Sequence, residues 1–221
     1  RPGMNPSQHP PVEEAAAAPS GDASPAAAAS GPSRRAGRRD KPERGTRTGF
    51  STGACSAAAA RACALGLVHG QVPESVESLL ANGQRVSFAI HDGRIEGEGL
   101  ARVAHGYVQK FAGDDPDCTD GAHLTVDLRI LPGQAGQVQF RAGPGVGTVT
   151  LPGLGLDIGG PAINPVPRAN ITQNLQEVAG PLLAEHGLEV TVSVPGGEDM
   201  ARKTTNARLG ILGGISILGT S

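Results

Sequence analysis

The sequence predicts an α+β fold, a mostly antiparallel mixed sheet with a few helices, behind a disordered N-terminal tail. Short segments between residues 86 and 194 alternate apolar and polar side chains at period two, the pattern of half-buried strands. One longer segment is a strong alanine-rich helix former, another repeats apolar residues at helical spacing, and an Asp-Gly pair offers the favoured link between antiparallel strands.

The tail is expected over residues 1 to 45. The first 48 residues hold 8 Pro, 10 Ala, 5 Ser and 5 Gly, and Met4 and Val12 are their only apolar side chains larger than alanine. Such a segment buries too little surface to offset the entropy of ordering it. Its alanine runs at 15 to 18 and 26 to 29 are too short for the apolar stretch of a secretory signal, so the chain reads as cytoplasmic. The basic run "RRAGRRDKPER" at 34 to 44 reads as a solvated linker rather than a contact with an anionic surface.

The first helix follows in "SAAAARACALGLV" at 56 to 68, a strong helix former that Ser51 or Thr52 can cap. Next, Val86, Phe88 and Ile90 alternate and run into Asp92-Gly93, which predicts a hairpin of two antiparallel strands. Leu124, Val126, Leu128 and Ile130, then Val138 and Phe140, then Leu188, Val190, Val192 and Val194 alternate likewise, and each segment is expected to bury one face and wet the other. Between them Ile171, Leu175, Val178 and Leu182 recur at helical spacing after Pro165 and Pro167, and Gly180-Pro181 should kink or break that helix near its end. About 170 residues is ample for one core. The apolar run "GILGGISILG" at 210 to 219 falls short of the ~20 residues a membrane span needs.

The formal charge of −2 divides into +3 over residues 1 to 48 and −5 over the remainder. An acidic folded part with one Tyr and no Trp lacks both the phosphate-binding charge and the stacking rings of a nucleic-acid binder. Cys55, Cys63 and Cys118 show no C-x-x-C spacing and fit reduced, mostly structural thiols. The histidines at 69, 91, 105, 123 and 186 share no ligand spacing, so no metal is assigned.

Four stretches draw attention on chemical grounds. In "KFAGDDPDCTDG" at 110 to 121, Gly113 and Pro116 make a turn that aspartates can brace, yet Asp114, Asp115 and Asp117 repel one another unless donors or a cation hold them. "RAGPGVGTVT" at 141 to 150 offers Gly143, Gly145 and Gly147 as a Rossmann-type glycine loop, but prolines at 152, 161, 165 and 167 leave no room for the helix that must follow. Those glycines either bring backbone close to a ligand or make turns. "GFSTGACSAAAA" sets Gly49, Ser51, Thr52 and Gly53 at a helix start, where free amides favour an anion; a simple cap would look the same. "GGEDMARKTTNARLG" gathers Arg202, Lys203 and Arg208, candidates for carboxylate binding or a solvated helix face.

Taken in order, "RTGFSTGACSAAAA", "KFAGDDPDCTDG", "GPGVGTVTLPGLGLDIGGPAINPVPR" and "EDMARKTTNARLGILGGISILGT" resemble the CbiD family of cobalt-precorrin-5B C(1)-methyltransferases. The resemblance covers about residues 46 to 221, read as one CbiD-like domain. It implies methyl transfer from S-adenosyl-L-methionine to ring carbon 1 of cobalt-precorrin-5B, giving cobalt-precorrin-6A in anaerobic cobalamin biosynthesis, on a fold unlike the Rossmann methyltransferases. The implied partner is a small-molecule corrinoid, with no protein-bound metal, nucleic acid or membrane. The family continues past "GGISILGTS" into a further α/β portion, so the chain reads as a fragment of a longer protein.

Carried onto this sequence, these readings imply catalytic roles for Asp114, Asp115 and Asp117, at the sulfonium or ribose of the donor or as acceptors of a proton. They imply donor contacts from Gly213, Gly214, Ser216, Gly219 and Thr220, and corrinoid contacts from Thr52, Gly53, Arg168, Arg202, Lys203 and Arg208. A non-enzymatic corrinoid or tetrapyrrole-binding protein, and a Rossmann-type methyltransferase using the GPGVG loop, are the alternatives.

Overall fold

The computed structural model describes residues 49–114 and 117–219. The expected disordered tail lies outside the described residues, as do Asp115, Pro116 and Thr220.

Helix α1 (Thr52–His69) begins at Ser51, whose Oγ accepts from the Ala54 amide at 3.0 Å, and ends at Gly70 in the left-handed region (φ 90°). Ala57, Ala58, Ala59, Ala60, Ala62, Cys63 and Ala64 are all fully buried, so this helix is covered on every side. Its small side chains let it pack closely against the sheet and against α2 (Pro165–Leu183). The latter kinks where the sequence requires: Ala179 has φ −125° and ψ 24° just before Gly180-Pro181.

Strands β1 (Ser75–Leu79) and β2 (Arg85–Ala89) form a separate antiparallel hairpin whose tip contains Asn82-Gly83, with Gly83 at φ 86°. Asn174 of α2 pins it: its side chain accepts from the Leu79 amide and donates to the Leu79 carbonyl, where Asn170 also donates. The main sheet comprises β3 (His91–Glu96), β4 (Val103–Gln109), β5 (His123–Leu131), β6 (Val138–Ala142) and β9 (Gly187–Ser193), in the order β3-β4-β5-β9-β6. All its pairings are antiparallel except β6 with β9. Leu124, Val126, Leu128, Ile130, Leu188, Val190 and Val192 face the core, while Thr125, Asp127, Arg129 and Thr191 alternate on the opposite face. On that polar face Glu189 is buried beneath Arg129 and Arg141, which hold its carboxylate at 3.1 and 2.7 Å.

The expected hairpin at Asp92-Gly93 is corrected by the structure. Strands β2 and β3 are not partners: β2 pairs with β1, and β3 pairs with β4. Asp92 sits instead at a β-bulge, where the register gains a residue between His91 and Arg94, and it is the one non-glycine residue at positive φ (53°) among the described residues. Aspartate tolerates the left-handed conformation that both a tight hairpin and a bulge require, so the dipeptide alone does not separate the two.

Two further short strand pairs lie outside the main sheet. Strand β7 (Gly145–Val146) runs parallel to β11 (Gly214–Ile215), and β8 (Thr148–Val149) antiparallel to β10 (Ile211–Leu212). The chain is therefore extended directly after Gly147, where a Rossmann loop would enter a helix, and the Rossmann reading falls. No helix among the described residues is long and apolar enough to cross a membrane.

Candidate functional site

The acidic loop is braced from within. Lys110, whose side chain is 4 % exposed, donates from Nζ to Asp117 Oδ2 at 2.9 Å, while Asp117 Oδ1 accepts from both the amide and the hydroxyl of Thr119. Asp120 accepts from the Ala112 amide. Partial desolvation pushes the Asp117 carboxyl up, but the bonds from Thr119 and Lys110 outweigh it and hold the group below its usual range. Asp117 is thus a fixed anion at neutral pH, suited to face a positive charge and poorly suited to accept a proton. Asp114 precedes it by three positions in the sequence, and Asp115 lies outside the described residues. Lys110 went unrecognised at the sequence level, because nothing in its neighbours signals that it turns inward.

The glycine run serves close backbone packing. A Cβ on Gly145 would fall 1.8 Å from the Val194 carbonyl oxygen, and Cβ atoms on Gly197 and Gly214 would each fall 2.1 Å from the Gly145 carbonyl oxygen. A Cβ on Gly143 would meet Ser193, and one on Gly147 would meet Ile211. The GPGVG loop, the start of α3 (Gly197–Ala201) and β11 therefore interlock through their backbones.

The first turn of α1 is also committed. The Gly53 amide donates to the Leu218 carbonyl at 2.8 Å, Thr52 Oγ1 accepts from the Leu218 amide at 2.9 Å, and Ser51 takes the Ala54 amide. These amides serve the fold, which favours a cap over an open anion site at this helix start. Beside the cap lies a cavity of about 310 Å³, bounded by the α1 start, the β1–β2 hairpin, the first turns of α2 and Gly219. It brings together Gly53 and Gly219, which the sequence reading had assigned to substrate and donor respectively.

The basic candidates separate. Arg168 donates from Nε to the Ile163 carbonyl at 2.7 Å and from Nη2 to the Pro161 carbonyl at 3.2 Å, and it lies over the Phe140 ring, so its guanidinium shapes the segment leading into α2. Arg202 pairs with Asp199 at 2.9 Å on the surface, and Lys203 and Arg208 are exposed nearby. Arg202 lines a shallow cleft of about 270 Å³ with Glu198, Leu212, Gly213 and Gly214, which puts a cation, a carboxylate and two glycines on one wall. Ser216 follows β11 and is half-buried. Burial pushes the Cys55 thiol up to about 12 and raises that of Cys63 as well, so both are packing groups rather than nucleophiles.

The CbiD family model matches residues 39–221. Among curated relatives, proteins named cobalt-precorrin-5B C(1)-methyltransferase from Variovorax paradoxus and Polaromonas naphthalenivorans are 67 % and 65 % identical, each over 178 residues that make up 80 % of this chain and 48 % of theirs. One of the same name from Methylococcus capsulatus is 62 % identical over 182 residues, 82 % of this chain and 47 % of its own. The chain spans about half the length of the curated relatives it matches. A crystal structure of the cobalamin biosynthesis protein CbiD from Archaeoglobus fulgidus superposes with a TM-score of 0.55 at 29 % identity, over 79 % of this chain and 52 % of that one. With its motifs, its α+β fold and these matches in agreement, the chain belongs to the CbiD family.

Proposed function

We propose that this chain forms part of a cytoplasmic methyltransferase that methylates carbon 1 of cobalt-precorrin-5B to give cobalt-precorrin-6A in anaerobic cobalamin biosynthesis, with S-adenosyl-L-methionine as donor. The observation that carries the reading is identity of 62 % to 67 %, over about four fifths of the chain, to relatives bearing that name. The acidic loop is the part of the described residues that suits a sulfonium cation: Asp117 is half exposed and fixed by Thr119 and by the buried Lys110, whose charge it already balances, so the further aspartates of the loop would supply the net negative charge. When bound, the donor supplies an electrophilic methyl group on positively charged sulfur. Catalysis by this chain is then largely positioning, because in-line displacement needs reacting atoms held about 3 to 3.5 Å apart. Asp114, Asp115 and Asp117 face the donor's positive or hydroxylated end, and Arg202, Lys203 and Arg208 meet corrinoid carboxylates. Gly213 and Gly214 present backbone to the Arg202 cleft, and Ser216 follows them in the chain.

The test is anaerobic turnover of the full-length protein that contains this chain, with S-adenosylmethionine and cobalt-precorrin-5B, read by mass spectrometry of the corrinoid. A product one methyl group heavier is expected. Tight corrinoid binding without that product would instead favour a non-catalytic corrinoid carrier.

A further inference from the structure

We infer that the cavity at the start of α1 binds the adenine base of the methyl donor, an assignment that rests on the methyl-transfer reading above. Phe50, Leu80, Val86, Val166 and Pro167 supply its large apolar side chains, and the carboxamides of Asn82, Gln84 and Asn170 are its main polar side-chain groups. No charged or histidine side chain is among its described lining residues. That lining selects among the parts of the two reactants. Corrinoid carboxylates and the donor's amino-acid end would lose water here without a counter-charge, at high cost. An adenine base is neutral, flat and apolar on its faces, and it carries donors and acceptors only at its edge.

Size and preorganisation agree with this occupant. A volume of about 310 Å³ holds a nucleobase with part of its sugar but not a macrocycle with its side chains. The Phe50 ring is fixed by an edge-on contact with Phe88, centroids 4.9 Å apart at 61°, so an aromatic wall stands ready without ordering cost. Asn82 Nδ2 donates to Gln84 Oε1, and Asn82 Oδ1 accepts from the Gln84 amide, which sets the two carboxamides side by side at the hairpin tip. Each carboxamide offers a donor and an acceptor, the complement of an adenine edge.

The experiment is calorimetric titration of the chain with adenosine, inosine and S-adenosylhomocysteine, in wild type and in two variants. Ala54→Leu fills the cavity from the α1 wall with a good helix former, and Gln84→Ala removes one carboxamide from an exposed hairpin. Expected are adenosine binding by the wild type, inosine binding about tenfold weaker, and an adenosine affinity lowered at least about tenfold by each substitution. Circular dichroism should remain that of the wild type, and Gln84→Ala keeps the test decisive should Ala54→Leu fold poorly. Adenosine binding that is absent, or equal for inosine, overturns the assignment. Undiminished S-adenosylhomocysteine binding in both variants also overturns it, yet leaves methyl transfer intact with the donor seated elsewhere. A wild type that binds neither adenosine nor S-adenosylhomocysteine and yields no methylated product overturns both readings.

Discussion

At the scale of single residues, the acidic loop shows how a candidate side chain also serves as scaffold. Asp117 neutralises Lys110, which is almost fully buried, so Asp117→Asn leaves that ammonium without its anion. Because Asp117 is itself half exposed, solvent screens part of the loss, and a stability cost of about 1 kcal/mol is expected in urea unfolding at pH 7. The sign with pH follows from the lowered folded-state pKa. The stabilisation is present above the unfolded carboxyl's value, near 4, and fades as pH falls through the lower folded value, so wild type and variant should converge in acid. If Asp115 positions the donor or moves a proton, Asp115→Asn should cut turnover about tenfold or more at little cost in stability; wild-type turnover from about pH 6 to 9 would remove it from the catalytic set. The aspartates drew attention in the sequence because three in four positions repel one another unless donors or a cation hold them. Their brace was not, since nothing local shows that Lys110 turns inward.

Elements were legible wherever a periodic pattern was long. The α1 cap, the α2 kink and the inward faces of β5 and β9 follow directly from residue order. Strand β4 escaped because its inward positions are Ala104, Gly106 and Val108, too small to signal alternation, yet small residues are what closely packed α1 requires above them. Ala58→Leu should therefore overpack the α1 interface and lower stability by about 1 to 3 kcal/mol in denaturant unfolding. The GPGVG loop was legible as special but not as structural, because its partners Val194, Gly197 and Gly214 lie about 50 to 70 residues away. Gly145→Ala adds a methyl against the Val194 carbonyl at a residue with φ 85°, and a loss above about 2 kcal/mol is expected. Were the loop merely a ligand cradle, the apo protein would tolerate that alanine.

At the scale of the whole molecule, long-range contacts bring Thr52, Gly53 and Gly219 together at the start of α1. Leu218 returns to bond Thr52 and Gly53 across 166 residues, so the last described segment seats on the first helix and shares its cavity. The β1–β2 hairpin forms the cavity's opposite wall, and its attachment depends on α2 through Asn170 and Asn174 and through one ionic node. At that node Glu177 of α2 accepts from Arg85 of β2 at 2.6 Å and from Arg61 of α1 at 2.8 Å, so a single carboxylate links three elements. The bonds from Arg85 and then Arg61 hold its carboxyl down at about 2, against an ordinary value of 4.5. A depressed folded value means that the node stabilises the fold above pH 4.5 and loses its contribution progressively as pH falls from there toward 2. Glu177→Gln keeps the shape and one acceptor but removes the charge, so its thermal midpoint at pH 7 should fall on the order of 2 °C, a small effect because the node is partly solvated. The difference between wild type and variant should shrink through that acid window and be smaller again in about 1 M salt, where exposed ion pairs are screened. Since the hairpin bounds the cavity, amide exchange in residues 80–86 should rise in Glu177→Gln while exchange in β5 and β9 stays at the wild-type rate. A midpoint difference that persists undiminished at pH 2, or exchange that rises equally in the central strands, would show that Glu177 supports the core as a whole rather than joining hairpin and helices.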